Sequence, residues 1–181
     1  MRTLVIVAHP RMEASRVNRA LAETAATVQD VTVHNLYEVY PDEKVDAARE
    51  QALLEAHDRI ILQFPFYWYS SPSLLKKWQD EVLAYGWAYG SGGDRLHGKE
   101  LGLAVSTGGP AEAYRPDGYN RYTLEELLLP LRATSNLVGT IFLPIFSLSG
   151  VRTMTDEELA GHAQSYAAYL TQPIAEVSHQ K

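Results

Sequence analysis

Five short, nearly uninterrupted apolar runs, each followed by helical patterning, constrain this chain more than any other feature. Thr3 to Ala8 is β-branched and apolar throughout, and Val31 to Leu36 is weaker and alternates. Arg59 to Phe64 reads RIILQF, Leu101 to Ser106 reads LGLAVS, and Thr140 to Phe146 reads TIFLPIF. Continuous apolar runs predict strands covered on both faces, as in a parallel sheet. Between them, Val17, Leu21, Ala25 and Val28 share a face after Ser15, which has the chemistry of an N-cap. A second helix is predicted over Val45 to His57, with Ala48, Ala52 and Leu53 inward. Ser71-Pro72 predicts an N-cap followed by proline at the first helical position, before a Leu74, Leu75, Trp78 and Val82 stripe that ends near Gly86. Thr123 with Glu126 and Thr155 with Glu158 fit the capping box, Pro130 should kink or shorten the fourth helix, and Leu159, Ala163, Tyr166 and Leu170 keep helical spacing. The order β-α-β-α-β-α-β-α-β-α with right-handed crossovers predicts one α/β domain over residues 1–181. It is a doubly wound five-stranded parallel sheet in the flavodoxin-like order 2-1-3-4-5, with a frayed tail from Ser178 to Lys181.

Such sheets bind ligands beyond the carboxyl ends of the strands, at the point where strand order reverses, here between strands one and three. The loops after runs one, three and four read HPRMEASRVN, PFYWYSSP and STGGPAEAYRPDGYNRY. The first enters a helix at Ser15, whose free N–H groups suit a phosphate, with His9, Ser15, Arg16 and Asn18 adding donors; an ordinary capped helix reads the same way. In the second, Phe66, Tyr67, Trp68 and Tyr69 are consecutive, which fits an interface patch, a core lid or the border of a flat ring. In the third, Gly108 and Gly109 follow Ser106 and Thr107, and paired glycine permits either a plain turn or close approach to a ligand.

Composition removes several other classes. There is no Cys, hence no disulfide, thiolate metal site or Cys nucleophile, and the six His lack metal-ligand spacing, so no metal is expected. The 22 acidic and 16 basic residues give a net charge of −6 without a basic run, a poor match to nucleic acid. GxGxxG, the P-loop and the GxSxG elbow are absent. Asp80 and Glu81 read as solvated helix charges. No window reaches the ~18 apolar residues of a spanning helix, and the opening MRTLVIVAHP reads as a buried strand, so the expected location is the cytoplasm.

Together, AHP (Ala8 to Pro10) with SRVN (Ser15 to Asn18), QFPFYWYSSPSLLKKW (Gln63 to Trp78), GWAYG (Gly86 to Gly90), LHGK (Leu96 to Lys99) and STGG (Ser106 to Gly109) resemble the NAD(P)H:quinone oxidoreductase family of flavodoxin-like flavoproteins. The resemblance covers about residues 2 to 170. It is closest to the short bacterial branch that includes the ancillary flavoprotein of glutathione-gated potassium efflux, to which LYEVYPDEKVD (Leu36 to Asp46) also points.

The resemblance implies FMN rather than FAD, with NAD(P)H as co-substrate and a quinone-like acceptor. Hydride would pass as two electrons by a ping-pong mechanism. His9 and Ser15, Arg16, Val17 and Asn18 would hold the flavin phosphate. Phe66 to Tyr69 and Ser106, Thr107, Gly108 and Gly109 would hold the isoalloxazine, and Tyr114 would border the substrate side. Asn120 stands near where the family often has a histidine paired with that tyrosine. The resemblance also implies a homodimer and raises a second role: a regulatory subunit of a membrane potassium/proton antiporter, placing the protein peripherally at the inner membrane. A one-electron flavodoxin-type carrier is a third reading, from which HPRMEASRVN departs because it lacks the Thr-rich phosphate loop of flavodoxins.

Overall fold

A computed structural model describes residues 1–173, so the tail from Ser178 to Lys181 lies outside the described residues. Strand β1 (Thr3–Val7) is buried along its whole length because it pairs in parallel with both β2 (Val31–Asn35) and β3 (Arg59–Pro65). Alternation along β1 divides the interior in two. Leu4 and Ile6 face one layer with Leu54, Leu74, Leu75 and Trp78, while Val5 and Val7 face the other with Val17, Leu21, Ala25, Leu159, Tyr166 and Leu170. The first layer is carried by α2 (Leu36–Val39), α3 (Ala47–Glu55) and α4 (Ser73–Val82), and the second by α1 (Arg16–Ala26) and α7 (Asp156–Thr171). Strand β4 (Glu100–Ser106) continues the sheet beyond β3, and the spatial order is β2-β1-β3-β4-β5, as expected.

The fifth run differs from the expected single strand over Thr140 to Phe146. It forms two pieces, β5 (Ile141–Phe142) and β6 (Phe146–Leu148), both paired with β4. Glu100 pairs with Ile141 but Ala104 pairs with Phe146, so one extra residue is accommodated between them. Pro144 falls in that gap; it has no N–H to offer the ladder, and its carbonyl accepts instead from the Tyr169 hydroxyl at 2.9 Å. Pro130 likewise splits the fourth helix into α5 (Leu124–Leu127) and α6 (Leu129–Leu137). Both expected capping boxes form.

Two helix readings need correction. Helix α4 starts at Ser73 with Pro72 in the cap position, one residue later than expected, and the Ser71 hydroxyl donates to the Pro72 carbonyl at 3.3 Å. In α3, Ala48 and Ala52 are exposed, whereas Glu50 and Leu54 point inward. An apolar-period reading places alanine inside and glutamate outside. Here the Glu50 carboxylate is fully buried because three donors satisfy it: Trp78 Nε1 at 2.8 Å, Tyr40 Oη at 2.6 Å and His34 Nε2 at 2.9 Å. Burial pushes the Glu50 pKa up, but hydrogen bonds from His34, Tyr40 and Trp78 outweigh it and hold the group below the ordinary glutamate value.

Removing this carboxylate leaves three buried donors unpaired. Glu50→Ala should therefore cost about 3 kcal/mol of stability in urea denaturation. In the wild type the contribution is complete above the ordinary glutamate pKa and is lost as pH falls through the depressed folded value. The variant should lack that acid-side slope.

Candidate functional site

Strands β1, β3 and β4 end side by side, and the loops that leave them meet around one cleft of about 380 Å³. This lies within the ordinary range for small-molecule sites. From the first loop, His9, Ser15, Arg16, Val17 and Asn18 line it. His9 Nδ1 accepts from the Arg11 N–H at 3.1 Å, and burial followed by the Arg11 charge lowers its pKa. The neutral ring therefore carries its proton on Nε2, a donor. A short 3₁₀ turn, Met12–Ala14, delivers the chain to Ser15, whose Oγ caps α1 by accepting from the Asn18 N–H at 3.2 Å.

Asn18 is buried beneath the cleft floor. Its Nδ2 donates to Ser106 Oγ at 2.9 Å, and its carbonyl accepts from Gln63 Nε2 at 2.8 Å. Gln63 Oε1 in turn accepts from Tyr166 at 3.0 Å, so a buried polar chain runs from α7 through β3 to the rim. Asn18 Oδ1 has no partner among the described residues. If the amide is turned over, Ser106 Oγ–H donates to the oxygen and the unpaired group becomes an N–H, which suits an anionic ligand. Arg16 lines the cleft with its stem, but its guanidinium donates to the Asp156 carboxylate and the Met154 carbonyl at the start of α7. The expected side-chain cation at the phosphate end is therefore already paired.

Phe66 and Tyr67 enter the cleft from the second loop. The next two residues turn away. Tyr67 and Ser70 exchange backbone hydrogen bonds of 3.0 Å each way, closing a two-residue turn with Trp68 at φ 47° and Tyr69 at φ 61°. Two consecutive left-handed residues make a type I′ turn, which favours Asn-Gly and costs bulky side chains about 1–3 kcal/mol each. Trp68 is 93% exposed, so nothing among the described residues explains its presence there. The Tyr69 hydroxyl donates to Asn120 Oδ1 at 2.9 Å, tying this turn to the third loop at the position where the family resemblance anticipated histidine. Phe66 packs edge-on against both Tyr69 and Tyr114, at 6.1 and 6.0 Å between ring centroids.

Ser106 and Gly108 complete the cleft wall. Thr107 is fully buried and shapes the turn, its hydroxyl donating to the Gly109 carbonyl at 2.8 Å. Gly109 sits against Tyr119 and Tyr114, where a Cβ would lie 2.7 Å from the Tyr119 hydroxyl. Trp68, Tyr69, Thr107, Gly109 and Tyr114 thus surround or support the cleft without lining it. The fourth wall was missed from sequence. Val151 and Arg152, in the loop from β6 to α7, close it, with Arg152 Nε 3.3 Å from where a Gly108 Cβ would stand. The misplaced end of the fifth strand hid that loop, and a lone arginine in it carries no motif.

Comparison with known proteins agrees with this architecture. The flavodoxin-like fold family matches residues 1–170. General stress protein 14 of Bacillus subtilis (strain 168) is 54% identical over 96% of this chain and 99% of its own. The uncharacterized NAD(P)H oxidoreductase YdeQ of the same organism is 48% identical over 94% and 87%, respectively. The glutathione-regulated potassium-efflux system ancillary protein KefG of Cronobacter sakazakii is 42% identical over 96% and 94%.

Among solved structures, the general stress protein 14 of Treponema denticola in complex with FMN is 42% identical, with a TM-score of 0.89 over 94% of this chain and 98% of that one. An NADPH-quinone reductase from P. pentosaceus is 35% identical, with a TM-score of 0.88 over 96% and 99%. A chain in the crystal structure of a thermophilic tryptophan halogenase from Streptomycin violaceusniger is 50% identical, with a TM-score of 0.92 over 94% and 99%. The chain belongs to the flavodoxin-like family of NAD(P)H oxidoreductases that these relatives represent.

The strained turn makes a stability prediction. Trp68→Asn keeps the Tyr69–Asn120 bond and relieves a left-handed tryptophan. It should raise the stability of the FMN-free protein by about 1 kcal/mol in urea denaturation.

Proposed function

We propose that this protein is an FMN-dependent NAD(P)H:quinone oxidoreductase that works by ping-pong two-electron transfer. The observation that carries the reading is the convergence of three loops on one cleft. The start of α1 lines it together with Phe66, behind which Tyr69 and Tyr114 pack. FMN bound to the Treponema relative supports the choice of flavin. The reductase reading follows the names of several relatives similar over nearly the whole chain, and the halogenase name is not carried over.

When bound, FMN supplies the hydride chemistry, accepting from NAD(P)H and giving to the quinone. The N–H groups of Arg16 and Val17, which open α1 and have no partner among the described residues, would hold its phosphate, with His9 Nε2 and the Ser15 and Asn18 side chains beside them. Phe66 to Tyr69 and Ser106 to Gly109 would hold the ring system, largely through main-chain groups. Tyr114 would border the substrate. Burial raises its pKa, so the phenol keeps its proton through the neutral range and can donate to a developing quinol oxygen. Asn120 would hold Tyr69 in place rather than share a proton with Tyr114.

The same reading includes a cytoplasmic homodimer, for which exposed Trp68, Tyr119 and Tyr122 offer aromatic contact surface. The KefG likeness supports a second role as a peripheral regulator of a membrane potassium antiporter. No helix among the described residues is long and apolar enough to cross a membrane.

The purified protein should show flavin absorption that bleaches when NADPH is added without oxygen and returns on addition of a quinone, with parallel double-reciprocal plots. Colourless protein that stays inactive after FMN is supplied would refute the proposal. Tyr114→Phe should lower kcat for quinone reduction by about 10-fold or more while leaving FMN affinity unchanged. The double variant Ser15→Ala/Asn18→Ala should lose flavin; antiporter activation that survives in it would separate regulation from turnover.

A further inference from the structure

The guanidinium expected at the phosphate end of the cleft is engaged elsewhere. The chain carries a net charge of −6, and Arg16, the arginine at the opening of α1, spends its guanidinium on Asp156 and the Met154 carbonyl. We infer that Arg152 is the side chain that receives a nucleotide's phosphate ester, and that Arg16 is a positioning residue acting through the loop that carries Arg152. This rests on the nucleotide-binding reading above.

Three observations support it. First, Arg152 lines the cleft opposite Ser15 and His9, and among the described residues its guanidinium has no ion pair or hydrogen bond. A charged group left unpaired beside a polar cleft is poised for a charge-assisted bond. Second, its backbone is held rigidly. Thr107 N–H donates to the Leu148 carbonyl at 2.8 Å, Gly150 N–H to Gly109 at 2.8 Å and Val151 N–H to Thr107 at 3.1 Å. The loop after β6 is thereby zipped to the Ser106–Gly109 turn, and Gly108, with no Cβ, lets the guanidinium lie against that turn. Third, Arg16 pins the chain just beyond Arg152 to α1, through the Met154 carbonyl and the Asp156 carboxylate. Arg11 also lines the cleft and likewise has no ion pair among the described residues, but its backbone bonds reach only His9 and Ala14 of its own loop, whereas the loop carrying Arg152 is tied to the Ser106–Gly109 turn.

The phosphate ester can belong to the flavin or to the nicotinamide dinucleotide, and the experiment separates the two. The full chain, freed of flavin, is titrated with FMN and with riboflavin by fluorescence quenching, for wild type, Arg152→Gln, Arg152→Lys and Arg16→Gln. The expected result is a loss of FMN affinity in Arg152→Gln of about 10-fold or more, with riboflavin affinity unchanged. Arg152→Lys should recover part of it, and Arg16→Gln should show a smaller, FMN-selective loss. If the FMN-to-riboflavin ratio holds but the KM for NADPH rises while the KM for quinone does not, the inference stands with the dinucleotide as the source. Equal losses for FMN and riboflavin, or no change in any of these readings, would overturn it. Inorganic phosphate provides a test free of flavin: it should raise the melting temperature of the wild type and not of Arg152→Gln. An equal rise in both also overturns the inference. A wild type that binds FMN but shows the wrong variant pattern fails this inference alone; a wild type that responds to neither FMN nor phosphate fails both.

Discussion

Everything at the cleft depends on the parallel ladder that sets β1, β3 and β4 in register. Val7 pairs with Gln63 and Gln63 with Ala104, so the three chains reach the same rim, and β3 and β4 run two residues further. Parallel pairing makes all three exits point the same way, and the reversal of strand order between β1 and β3 leaves a gap that no crossover fills. Gln63 serves this geometry twice. Its backbone belongs to the ladder, while its side chain joins Tyr166 of α7 to the Asn18 carbonyl of α1. A slip of one residue in this strand would turn that side chain to the opposite face and take the cleft floor with it.

The rim carries costs that the rest of the molecule offsets. Trp68 and Tyr69 hold left-handed backbone, and Asn18 keeps a buried amide atom unpaired. Asn18 lies at the cleft floor and the turn follows Phe66 and Tyr67, which line it, so a ligand or partner can use the strain and the unmet hydrogen-bonding capacity there. Two charged groups buried away from the cleft are fully partnered. Glu50 has its three donors, and Arg59 donates to the Tyr169 and Gln172 carbonyls at 2.8 and 2.7 Å, fastening the end of α7 to the sheet.

The architecture was readable because its signals are local and repeated: apolar runs, capping boxes, a proline that splits a helix. The convergence of the first, third and fourth loops was readable too, since strand order follows from the alternation of elements. Glu50 was not. Its burial depends on His34, Tyr40 and Trp78 arriving from three other elements, and no periodicity anticipates that. The paired state of Arg16 was hidden for the same reason, because Asp156 lies 140 residues away in sequence. Arg152 was missed as well: Pro144 moved the end of the fifth strand, and with it the loop that forms the fourth wall.

The amino-acid order by itself determined which segments are strands, how they are wound and which loops share a rim, because hydrophobic periodicity and chain connectivity act over short stretches. Only the tertiary structure decided which charges are spent and which remain available, since a side chain's partners come from wherever the fold places them. At this cleft the distinction separates Arg16, consumed in holding two elements together, from Arg152, left unpaired at the wall.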